Sequence, residues 1–186
     1  MDKYRLPKSV KLGDVEVGID SDYRNILQIF SILNDPDLLE VESVVVALDY
    51  FYESEEYKTD IERAVEYMMY FLNGGRESDN TPKNTKPLYD WDKDFDIIVS
   101  PINRIVGTDV RGLDYMHWWT FLSAFMEIGE CTFNTFVGIR DKMNRGVRLE
   151  KWEEKIYRDN KDRITLKKRV DSTTQSLMDE IMGKGV

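Results

Sequence analysis

The chain is poor in the side chains that most often do chemistry or staple a fold. Among its 186 residues there is one cysteine, Cys131, and one histidine, His117. A lone thiol closes no internal disulfide, which suits a reducing compartment. A lone imidazole excludes a His-pair metal site and leaves any His-dependent triad resting on one residue. No stretch approaches the roughly 18 apolar residues that cross a bilayer, so no membrane span is expected. The opening Met1-Asp2-Lys3-Tyr4-Arg5 is charged and runs into Pro7 rather than an apolar segment, so it does not read as a secretory signal. A glycine-rich phosphate loop is missing, because Gly74-Gly75 leads into Arg-Glu-Ser and not into a Lys-Ser/Thr helix start. Excess positive charge is missing too. The net charge of -9 argues against generic nucleic-acid binding, which needs clustered Lys and Arg.

What is present suffices for one sizeable core, with 41% hydrophobic and 12% aromatic residues. This lies outside the polar, highly charged class that stays disordered. The charge is uneven: residues 1–140 hold 26 acids and 14 bases, and residues 141–186 hold 9 acids and 12 bases. That split suggests a body over 1–148 and a polar, mildly basic helical tail over 149–186.

Val10 and Leu12, then Gly13-Asp14, then Val15, Val17 and Ile19 alternate with period two around a two-residue turn. The pattern predicts an N-terminal β-hairpin, whose apolar face must pack on later helices because a lone hairpin is barely stable. Helical spacing follows. Tyr23, Ile26, Leu27, Phe30 and Leu33 share a face, with Asp20 or Ser21 placed to cap it and Asn34-Asp35-Pro36 to end it. Residues 42–53 read as a short buried helix. Thr59 with Glu62 reads as a capping box opening a helix to about Leu72. Residues 73–87 lack apolar side chains and predict a flexible loop. A second helical block opens near Trp91, with a kink or break expected at Pro101. Leu113–Met126 is the most apolar helix, and a shorter one surrounds Phe133 and Phe136. Beyond it Leu149, Trp152, Ile156, Ile164, Val170, Leu177 and Ile181 form a thin stripe on a long helix or pair of helices. The expected fold is mainly α (α+β): the hairpin packed on about six or seven helices, with a long polar C-terminal stretch.

Candidate chemistry is sparse. The run Asp90-Trp91-Asp92-Lys93-Asp94-Phe95-Asp96 evokes a calcium loop, yet neither register supplies the glycine at the sixth place or the glutamate at the twelfth. These acids read instead as capping a helix and complementing its dipole. His117, set in Met116-His117-Trp118-Trp119, reads as a packing residue, and its pairing with Cys131 lacks any supporting signature. The basic positions Lys161, Arg163, Lys167, Lys168 and Arg169 read as a solvated helix face. No enzyme, metal site or cofactor is expected. Adjacent residues on a helix point about 100° apart, so of Trp118 and Trp119 one is expected in the core and one at a surface. That surface Trp, with Trp152, Ile156, Ile164 and Leu177, makes up the candidate partner-binding set, weighed against ordinary packing.

The order of features resembles a bacteriophage family named for gene product fifteen. The likeness rests on Leu6-Pro7 with the hairpin, on Asp22-Tyr23-Arg24, and on Tyr89-Asp90-Trp91-Asp92-Lys93-Asp94. It rests most of all on Leu113-Asp114-Tyr115-Met116-His117-Trp118-Trp119-Thr120-Phe121, with Phe136-Val137-Gly138-Ile139-Arg140 a helix later. It covers about residues 6–170, and Pro101 and the longer C-terminal tail depart from it. The resemblance implies a gene just ahead of that for the tail tape-measure protein, where long-tailed phages place tail-assembly chaperones. It therefore implies binding to the tape-measure protein, and to the tail-tube protein as a second partner, in the host bacterial cytoplasm. A structural virion component is the alternative, and self-association is left open.

Overall fold

The computed structural model describes residues 4–77 and 86–166, which form eight α-helices and one β-hairpin. The chain is mainly helical, as its periodicity predicts. It divides into two compact units, the first holding 4–77 and 114–122 and the second 86–113 and 123–166 of the described residues.

In the first unit, β1 (Ser9–Leu12) pairs antiparallel with β2 (Val15–Gly18), Leu12 facing Val15 across the turn. Gly13 takes φ 58°, the left-handed geometry that a tight two-residue turn requires. Leu12, Val17 and Ile19 are buried while Lys11 and Glu16 face solvent, as the alternation demands. The Asp20 N–H donates to the Phe51 carbonyl at 2.9 Å and the Glu53 N–H to the Gly18 carbonyl at 3.0 Å, anchoring the hairpin.

Helix α1 (Tyr23–Leu33) buries Tyr23, Ile26 and Ile29. Its cap is Asp22, which accepts from the Arg24 N–H at 2.9 Å, and not Asp20 or Ser21. Asp20 is engaged by the Asp22 N–H, and the Ser21 hydroxyl bonds Tyr115, so the frame moves along the chain. Helix α2 (Glu40–Phe51) buries Val44, Ala47, Leu48 and Phe51. A 3₁₀ turn, Glu55–Asp60, precedes α3 (Ile61–Leu72). The cap of α3 is Asp60 instead of Thr59, whose hydroxyl turns back to the Glu56 carbonyl within the 3₁₀ turn. Past α3, Gly74 and Gly75 both have positive φ. Their N–H groups donate to the Phe71 and Tyr70 carbonyls, closing the helix in a Schellman motif. Of the segment expected to be a flexible loop, residues 78–85 lie outside the described residues.

In the second unit, α4 (Trp91–Val106) is capped by Asp90, whose carboxylate accepts from the Asp92 and Lys93 N–H groups. Helix α4 continues through Pro101, where a kink or break was expected. Pro101 is buried beside Ile98, Val99 and Ile102, and that packing offsets the missing backbone donor. A 3₁₀ turn follows at Val110–Gly112. Helix α5 (Trp118–Met126) starts five residues later than the apolar run suggests, and the unit division falls within it. Helix α6 (Thr132–Asn144) is longer than the few apolar residues at its start predict. The C-terminal stretch forms a pair of short helices, α7 (Lys151–Asp159) and α8 (Lys161–Ile164), separated at Asn160. Phe136, Ile139 and Ile164 form a core that Ile97, Leu149, Ile156 and Tyr157 flank.

Candidate partner-binding surface

The segments singled out in the sequence lock onto one another. In the first unit, the extended residues before α5 pair with the start of α1. The Tyr23 N–H donates to the Met116 carbonyl at 2.9 Å, the Trp118 N–H to the Ser21 carbonyl at 2.8 Å, and Asp22 bridges to His117 as a β-pair. This pairing keeps 113–117 out of the helix. The Met116 N–H also donates to Asp22 Oδ2 at 3.1 Å, and Arg24 donates to the Asp114 carbonyl at 2.8 Å. Burial pushes the Asp22 carboxyl up, but its bonds from Arg24 and Met116 outweigh that and hold it below the usual range. Tyr23 stacks on Phe121 with ring centroids 4.4 Å apart.

His117 is buried and spans two strands of chain. Its Nε2 lies 2.9 Å from the Pro7 carbonyl, which can only accept, so Nε2 carries the hydrogen. Nδ1 then accepts from the Trp119 N–H at 3.0 Å. Burial pushes this imidazole below its ordinary pKa, and nearby Lys8 adds to the effect against the upward pull of Pro7. A neutral, doubly bonded histidine is a structural pin with no free nitrogen for a ligand.

Trp118 is 1% exposed, its indole N–H donating to the Leu72 carbonyl at 3.0 Å. Trp119 is partly buried, its indole N–H donating to the Phe71 carbonyl at 2.9 Å. Gly75 closes over that ring: a Cβ there would sit 2.6 Å from Trp119 Cη2. Both tryptophans therefore hold the end of α3, and Trp118 offers no surface in this conformation.

In the second unit a buried ion pair organises the polar interior. Arg140, 4% exposed, and Asp94, 1% exposed, form a two-pronged pair at 2.6 and 2.9 Å. The remaining Arg140 hydrogens go to the carbonyls of Ile164 at 2.8 Å, Arg163 at 2.7 Å and Leu88 at 3.1 Å. All five guanidinium donors are used. Asp94 also accepts from the Asp90 N–H at 3.0 Å. One side chain thus gathers the entry to α4, α4 itself, α6 and α8. The acidic run gave no hint of it, because Arg140 lies 46 residues away.

Of the candidate residues in this unit, Ile164 is buried in the Phe136–Ile139 core and Ile156 packs against it. Residues 149–166 fall in the second unit, held by these contacts and by Glu153, which accepts from Lys142 at 2.7 Å. Trp152 differs. It is 53% exposed on α7, with its indole N–H on Glu150 at 2.8 Å and exposed Lys151, Lys155 and Arg158 on the same helix. Met143 and Val147, at the α6–α7 turn, are exposed as well. Leu177 lies outside the described residues. Among the described residues no three His, Cys, Asp or Glu gather as metal ligands, and no helix is long and apolar enough to cross a membrane.

The family model described as Bacteriophage Gp15 protein matches residues 3–166. The chain belongs to that family. The match takes in both compact units and every described element of the chain. No curated protein and no solved structure matches the chain. The residues through which this Gp15 chain was recognisable are those that hold its units together, so a working surface has to be sought among the side chains left outside.

Proposed function

We propose that this phage protein is a tail-assembly chaperone of the host cytoplasm that binds the tape-measure protein during tail morphogenesis. The observation that carries the reading is Trp152, a large aromatic left half in solvent on α7 while its neighbours Glu153, Ile156 and Ile164 are occupied in the fold. A half-exposed tryptophan between Lys151 and Lys155, its indole held by Glu150, is an anchor of the kind that dominates transient interfaces. It suits a helical partner that lays an apolar face against it. The family's implied gene position beside the tape measure supplies the partner. The acidic body keeps such a complex dispersed: residues 34–66 alone carry 11 acids against two bases, Lys58 and Arg63.

The test has two arms. Quantitative mass spectrometry of purified virions and infected-cell lysate should find the chain abundant in lysate and absent from particles. Several copies per particle would make it a tail or connector component instead. In the second arm, Trp152→Gln should lose co-purification with the tape-measure protein while melting as cooperatively as the parent. Unchanged co-purification removes Trp152 from the interface.

A further inference from the structure

A groove of about 330 Å³ runs between the hairpin and α3, lined by Val10 and Lys11 of β1 and by Arg63, Glu66, Tyr67 and Tyr70 of α3. Three independent features meet there. The first is an open strand edge. The Ile19 N–H donates to the Lys8 carbonyl at 3.0 Å, which makes Lys8 and Ile19 a hydrogen-bonded pair. Such pairs alternate with non-bonded ones along an antiparallel ladder. With Val10 facing Val17 and Leu12 facing Val15, these too are bonded pairs, so Ser9 and Lys11 direct their N–H and C=O groups away from β2. Neither main chain has a hydrogen-bond partner among the described residues.

The second feature is charge. The Lys11 ammonium and the Arg63 guanidinium have no ion pair or hydrogen bond among the described residues, although Arg63 lies in the most acidic stretch of the chain. Glu66 is the one acid of the lining, which leaves it net positive. The third is an unmatched donor: the Tyr67 hydroxyl is buried and has no hydrogen-bond partner among the described residues. A buried hydroxyl left unpaired is costly, and an acceptor that reaches it as the Tyr67 ring turns toward the groove relieves the cost.

We propose that this groove receives an extended segment of another protein, added as a third strand on the outer edge of β1, with an acidic side chain of that segment between Lys11 and Arg63. Strand addition uses the alternating edge groups for affinity, and the groove wall reads the side chains. The hairpin is two strands wide, so a third strand also supplies pairing that the sheet lacks. This surface is independent of the Trp152 reading and stands or falls alone.

The experiment uses the full chain with a blocked peptide, acetyl-Thr-Val-Thr-Glu-Thr-Val-Thr-amide, and its Gln counterpart, read by amide hydrogen exchange resolved by NMR. Saturating Glu peptide should slow exchange at Ser9 and Lys11 by about tenfold or more. The Gln peptide should bind roughly tenfold more weakly, the scale of a lost charge-assisted hydrogen bond. Arg63→Gln should erase that preference. Lys11→Pro, which removes one outward donor at an edge position that tolerates proline, should abolish protection at Ser9 with the melting transition intact. No protection at millimolar peptide overturns the proposal, as does equal affinity for both peptides. Slow exchange at Ser9 and Lys11 in the unliganded chain also overturns it. If that protection is independent of concentration, a segment of the same chain fills the groove; if it grows with concentration, a second copy does.

Discussion

Arg140 shows how one side chain can decide whether a unit closes. Its charge is buried together with that of Asp94, and removing either partner leaves the other uncompensated. Arg140→Ala is expected to cost about 3–5 kcal/mol, measured by urea unfolding at neutral pH. Arg140→Lys should recover little, since one ammonium cannot reach Asp94 and three carbonyls in a planar fork. A loss below about 1 kcal/mol would place the pair among weak surface interactions. His117 adds a pH dependence of definite sign. Its folded pKa lies below the ordinary value of about 6.5, so the unfolded chain binds the extra proton. Its contribution is complete above that value and is lost as pH falls below it. Protonation also places a hydrogen on Nδ1, where the Trp119 N–H already donates. The melting temperature should drop between pH 7 and pH 5, and His117→Gln should flatten that drop even if it lowers the plateau. An unchanged slope in the variant would assign the acid sensitivity to other groups.

The elements of the fold differ in how far local sequence determined them. The Gly13-Asp14 turn, the face of α1 and the span of α3 were legible because alternation, helical spacing and helix-end signals are local properties. Caps slipped by one or two residues, from Asp20 or Ser21 to Asp22 and from Thr59 to Asp60, because the expected caps are engaged elsewhere, Asp20 by the Asp22 N–H, Ser21 by Tyr115 and Thr59 by the Glu56 carbonyl. The start of α5 was illegible: 113–117 is held extended by α1, about ninety residues earlier in the chain. The Asp94–Arg140 pair was illegible for the same reason, since charge patterns report only near neighbours. Among the candidate contact residues, Trp118 and Ile164 show that an apolar side chain does not declare from its local sequence which side of the surface it occupies. Glycines make this testable. Gly75→Ala combines a φ of +76° with a Cβ placed 2.6 Å from Trp119, so it should destabilise by well over the roughly 1–2 kcal/mol that left-handed geometry alone costs. Gly138, exposed in α6 with nothing within 4 Å of a Cβ, is the converse. Gly138→Ala should stabilise by about 0.5–1 kcal/mol. Chemical denaturation of the two variants side by side checks both signs.

At the scale of the whole molecule, charge and connectivity matter more than any single contact. Residues 34–66 carry as large a net charge, -9, as the entire chain. Like charges so concentrated repel within the folded state, and salt screens them over about 10 Å at 0.1 M. The melting temperature should therefore rise between roughly 10 mM and 0.5 M sodium chloride, whereas the buried Asp94–Arg140 pair is little screened. A fall over the same range would mean that exposed ion pairs outweigh the repulsion. The first unit is also discontinuous: Trp118 and Phe121, which complete the packing of α1 and the end of α3, come from a stretch that follows residues 78–113 in the chain. During translation at about 5–20 residues per second, the ribosome takes roughly two to seven seconds to traverse that interval. For those seconds the nascent hairpin, α1 and α3 wait without two of their largest core rings. Synonymous codon changes that slow elongation across 78–113 should therefore prolong the exposure of Tyr23, Ile26 and Phe71 to proteases and chaperones on the ribosome, with the finished protein unaltered.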